Sequence, residues 1–112
     1  MDVITTLKKQ NELILEGRRL CCEVEKLAEE LAYADREYRA KKSALTLRYL
    51  AQKEKATVIP DIVRGHPDVV ESRLQLMLIK GKYKAKQEKI LYNKLQLNVL
   101  RDDLQREWGN TK

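Results

Sequence analysis

The chain has 112 residues, 23 of them Lys or Arg and 17 Asp or Glu, for a formal net charge of +6. Charged residues make up 36% of it, Phe is absent, and four Gly and two Pro leave few places to turn. That composition excludes a compact globule built on a large aromatic core and points to long helices around a narrow one, in a single domain spanning residues 1–112.

From Asp2 to Ala56 there is no Pro. Leu13, Gly17, Leu20, Val24, Leu27, Leu31, Ala34, Tyr38, Lys41 and Leu45 recur in steps of four and three, a heptad seam interrupted at Gly17 and Lys41. We expect helix one over 17–56. Residues 2–16 either extend it or, split off at Gly17, form a short N-terminal helix whose apolar face is Ile4, Leu7 and Ile14. An unbroken helix from residue 2 to 56 would span roughly 80 Å at the α-helical rise. Cys21 and Cys22 are adjacent, which suits reduced, semi-buried packing residues and neither a disulfide nor a metal site.

Pro60 breaks the helix, since it lacks an amide hydrogen and restricts Ile59. Residues 57–66 form the connecting turn. Within it Asp61–Arg64 supplies one helical turn closed by Gly65 as a left-handed cap, and His66 caps the second long helix. Helix two is expected from Pro67, suited to a first helical position, to Trp108, stopped by Gly109-Asn110. Its seam reads Leu76, Ile79, Tyr83, Lys86, Ile90, Asn93, Leu97, Leu100 and Leu104, and a second stripe runs beside it through Leu74, Leu78, Ala85, Tyr92, Leu95 and Val99.

The fold class is therefore all-α: a long antiparallel two-helix hairpin, coiled-coil-like and oligomeric. Folded about residue 62, helix two falls some 14 residues short of helix one. The N-terminal segment then lies uncovered, which favours self-association.

Charge is unevenly spread. Residues 12–30 hold six acids against three bases. Residues 36–55 hold seven bases (Arg36, Arg39, Lys41, Lys42, Arg48, Lys53, Lys55) against two acids, and residues 80–94 hold six (Lys80, Lys82, Lys84, Lys86, Lys89, Lys94) against Glu88. The fold about residue 62 superimposes the two runs into one basic band, with Tyr33 opposite Tyr92 and Tyr38 near Tyr83. Cations interleaved with aromatics suit single-stranded nucleic acid, phosphates meeting Lys and Arg and bases stacking on Tyr33, Tyr49 and Tyr92. Lys80, Lys82, Lys84 and Lys86 cannot share one face, so part of the run is solvated surface.

His66 is the single histidine, and neither G-x-x-x-x-G-K-[ST] nor G-x-G-x-x-G occurs, so we expect no enzyme, metal or cofactor. No apolar run reaches the ~20 residues that span a bilayer. A cytoplasmic protein without a membrane partner is expected.

Residues 41–50, Lys-Lys-Ser-Ala-Leu-Thr-Leu-Arg-Tyr-Leu, give the pattern K-K-x-A-L-x-x-R. This resembles the central motif of UvsY-type phage recombination mediators, as does the order of a long basic helix, a break containing Thr57, and Asp68-Val69-Val70 opening a second helix. The resemblance implies a ring-like oligomer in the host cytoplasm. It would load a RecA-like recombinase onto single-stranded DNA coated with single-strand-binding protein, Arg48, Lys41 and Lys42 contacting DNA. The family motif has Lys where this chain has Thr46; Lys53 or Lys55 would supply the missing charge. A structural or scaffolding coiled coil with protein partners only is the alternative from a different class.

Overall fold

In the computed structural model the described backbone covers residues 2–111, and side chains are described for residues 2–109. The protein is all-α. Helix α1 spans Val3–Ala51, α2 spans Ile59–Gly65 and α3 spans Pro67–Thr111, with α1 packed against α3 as a helical hairpin. The contacts fall into two compact units: residues 1–26 with 84–112, and residues 27–83.

In the first unit α1 and α3 run antiparallel. Asn93 Nδ2 donates to the Leu13 carbonyl at 2.9 Å, and ten residues along α1 Lys86 Nζ donates to Glu23. The inward stripe of α1 begins earlier than apolarity alone indicates. Thr6 is 1% exposed, Gln10 and Leu13 are half-buried and Leu20 is buried, so polar Thr6 and Gln10 continue the three-four spacing to the start of the helix. Leu100, Leu104 and Asn93 face them from α3. Asp2 caps α1, its Oδ1 accepting the Thr5 amide at 2.7 Å.

Gly17 does not split off a helix over 2–16, since α1 runs through it. It makes room: a Cβ there would stand 2.8 Å from Asn93 Oδ1. A buried Asn answered by a Gly on the facing helix fixes register, because any slip strands the amide among apolar side chains. Ile4, Leu7 and Ile14, expected as the apolar face of a separate helix, are exposed instead. Cys21 and Cys22 are free and exposed, not semi-buried.

In the second unit Leu45 of α1, Ile59 and Val63 of α2 and Val69 of α3 make one buried cluster, with Tyr38 and Tyr49 packed against it. Complete burial of a Val or Ile contributes roughly 1.5–3 kcal/mol, which is why seven residues of α2 hold as a helix. Helix one stops at Ala51, five residues before the expected end. Glu54 N–H donates to the Tyr49 carbonyl and Lys53 N–H to that of Leu50, with Lys53 at φ 63°. This is a Schellman stop with a lysine in the left-handed place that glycine usually takes.

Gly65, expected in that conformation, does not adopt it; α2 is closed by extended His66, whose N–H donates to the Val63 carbonyl. His66 also caps α3, its Nδ1 accepting the Asp68 amide at 3.2 Å. Gly109 has no positive φ either, and α3 runs past Trp108 to Thr111.

The chain thus reverses at 52–58 and not about residue 62, and α2 belongs to the return arm. That moves the pairing along. The N-terminal segment of α1, expected to lie uncovered, packs on the C-terminal part of α3.

Candidate nucleic acid interface

The early reversal divides the expected basic band between the two units. In the first unit the α3 run from Lys84 to Lys94 faces the acid-rich start of α1, where Lys86 pairs with Glu23. The carboxyl of Glu23 is held below its ordinary value first by that hydrogen bond and also by Arg19, which bridges Glu16 and Glu23. In the second unit the run on α1 packs instead with α2 and the start of α3. From Lys84 on, the α3 run therefore answers a different partner from the α1 run, while Lys80 and Lys82 belong with the α1 run to the second unit. Tyr92 lines a groove with Lys9 and Leu13 in the first unit whereas Tyr33 belongs to the second, and Tyr38 packs on the Leu45 cluster.

Along α1 of the second unit the bases divide about the inward Leu45 stripe. Arg36, Arg39 and Lys42, three residues apart in turn, share one flank; Lys41 and Arg48, seven apart, share the other. Arg36, Arg39, Lys42 and Arg48 are exposed and Lys41 is half-buried. Asp35 Oδ2 accepts from Arg39 at 3.0 Å, Glu37 Oε1 from Lys41 at 3.2 Å, and Lys42 Nζ stands 5.7 Å from the Tyr38 ring centroid. The ion pairs are surface pairs of small individual worth, which a phosphate can displace.

Thr46 lies on the Arg39–Lys42 flank, its hydroxyl donating to the Lys42 carbonyl at 2.8 Å, and a shallow depression there is lined by Lys42, Ser43, Thr46 and Leu47. The K-K-x-A-L-x-x-R residues consequently do not form one contact surface: Lys42 stands on one side of the packed stripe, Lys41 and Arg48 on the other.

Tyr49, expected as a stacking platform, is half-buried against the core, whereas Tyr33 is 69% exposed one turn before Arg36. Lys53 and Lys55 are exposed in the reversal, and Lys80, Lys82, Lys84 and Lys89 are exposed along α3. The seam residues Leu20, Val24, Leu27, Leu31, Leu45, Leu76, Ile79, Tyr83, Ile90, Leu97, Leu100 and Leu104 are all buried or half-buried. What sequence reasoning missed is that Arg36, Arg39 and Lys42 fall together at three-residue spacing; the spacing stands in the sequence, but a band shared between two helices gave it no separate meaning.

Among the described residues no group of three or more His, Cys, Asp or Glu side chains is placed to hold a metal ion. Among these residues no helix is long and apolar enough to cross a membrane. No family model, curated protein or solved structure matches this chain.

Proposed function

We propose that this chain is a non-enzymatic helical accessory protein that assembles with itself and binds single-stranded nucleic acid, DNA in preference, through the Arg36–Arg39–Lys42 flank of α1. The observation that carries the reading is that flank: three exposed bases at helical spacing beside a shallow depression, with Asp35 as the one carboxylate paired to any of them among the described residues. Binding is electrostatic and backbone-directed, and several subunits along one strand turn weak contacts into useful affinity. A role in loading a recombinase onto DNA coated with single-strand-binding protein rests on the resemblance of residues 41–50 to the mediator motif and on nothing else.

The test is fluorescence anisotropy of a labelled single-stranded oligonucleotide. With three phosphates neutralised per subunit, raising salt from 50 to 200 mM is expected to weaken binding about twentyfold. Affinity indifferent to salt, or no binding at 50 mM, contradicts the reading.

A second reading, an assembly coiled coil with protein partners only, is favoured by a different observation. Among the described residues of the first unit three apolar side chains are buried (Leu20, Leu100, Leu104), while nine large ones stand exposed. Reversing Arg36, Arg39 and Lys42 to Glu separates the two: lost oligonucleotide binding with unchanged helicity supports the first, and unchanged binding removes it.

A further inference from the structure

We infer that α3 carries a two-fold docking surface for a second copy of this chain, centred on Gln96 and lying wholly in the first unit; the inference rests on the self-assembly part of the function proposed above. Tyr92, Leu95, Val99 and Asp102 follow steps of three, four and three, a second heptad seam offset from the inward one. The three apolar members are 64%, 54% and 58% exposed. A seam of that spacing is read by another helix. The groove beside it, walled on the far side by Lys9 and Leu13 of α1, is where such a helix would lie.

The charges choose the occupant. Lys89, Gln96 and Asp103 flank the seam at intervals of seven, a row that reads positive, neutral, negative. In an antiparallel pairing about Gln96 this row is its own complement: Lys89 meets the second copy's Asp103, Asp103 meets its Lys89, and the two Gln96 amides face each other. Arg106 donates to Asp103 Oδ1, so Oδ2 is the oxygen offered to Lys89. The same register packs Leu95 on the second copy's Val99, twice. At either end it sets the Tyr92 hydroxyl to donate to the second copy's Asp102. A parallel pairing instead places Lys84 beside the second copy's Lys89, like charge against like. The antiparallel pairing makes a four-helix arrangement from two hairpins and covers three of the exposed apolar residues.

The experiment is sedimentation velocity on the full chain across a concentration series, for wild type, Lys89→Asp, Asp103→Lys and the double exchange, with helicity followed by circular dichroism. Each single reversal is expected to weaken dimerisation about tenfold or more, and the exchange to restore it to within a few-fold, since both cross-pairs are rebuilt with sign reversed. Single variants that associate as wild type does, or an exchange that fails to restore association with helicity intact, overturn this surface and leave self-assembly standing. A wild type that stays monomeric at every concentration overturns self-assembly itself. A second measurement fixes the axis. Gln96→Cys in a Cys21→Ser, Cys22→Ser background is expected to form a disulfide dimer under mild oxidation, and Arg101→Cys, on the outer face, is not; equal cross-linking of both overturns the two-fold at Gln96.

Discussion

Asn93 and Gly17 show how a single pair of residues sets the fit of two helices. The Asn93 amide is 5% exposed, and its bond to the Leu13 carbonyl exists because position 17 offers no side chain. Gly17→Ala raises intrinsic helix propensity by about 1 kcal/mol, yet in the wild-type background it displaces Asn93, whose lost hydrogen bond costs about 1–3 kcal/mol. Thermal melts are therefore expected to show Gly17→Ala as neutral to destabilising, and as stabilising once Asn93 is Ala. The same sign in both backgrounds contradicts the contact. Lys53 makes a similar point about the reversal. Its left-handed backbone is strained for a residue with a Cβ, so Lys53→Gly is expected to stabilise the protein by about 1 kcal/mol in chemical denaturation. Thr46 tests the proposed binding flank: Thr46→Lys adds a fourth base beside Arg39 and Lys42 and is expected to steepen the salt dependence of oligonucleotide binding by about 0.7 in log–log slope.

At the level of the helices, much was legible and the reversal was not. The three-four spacing of Leu13 to Leu45 and of Leu76 to Leu104 marks inward stripes that apolarity alone reveals. The stripe continues through Thr6, Gln10 and Ser72, which hydropathy does not flag although Thr6 and Ser72 are buried. The end of α1 was hidden because its stop is made by a lysine, a residue with no preference for the left-handed region, while Pro60, the obvious breaker, sits within the first turn of α2 where its missing amide hydrogen costs nothing. Misplacing the reversal by a few residues shifted the whole register, and with it the expected basic band. Ile59→Ala in α2 is expected to cost about 2–5 kcal/mol, because α2 is held by its two buried side chains; a loss under about 1 kcal/mol would mean that α2 is dispensable to the core.

For the molecule as a whole, its acidic side chains set the pH response. Hydrogen bonds from Thr5, Arg19 and Lys86 hold the carboxyls of Asp2, Glu16 and Glu23 below their ordinary values, so each binds protons less readily folded than unfolded. Their contribution is complete above the ordinary carboxylate range and is lost as pH falls through it toward the lowered values. Melting temperature is expected to hold steady near neutrality and decline on acidification; a flat profile down to about pH 3 contradicts these pairings. On the proposed function, the basic flank of α1 in the second unit would take a polyanion and the exposed seam of α3 in the first a second copy of the chain. The most direct test of that combination is the solution mass of the complete chain, measured by light scattering at low salt with and without a single-stranded oligonucleotide. That combination predicts an even multiple of the 13.1 kDa chain on its own and a heavier complex once the oligonucleotide is added. A 13.1 kDa species whose mass the oligonucleotide leaves unchanged would contradict it.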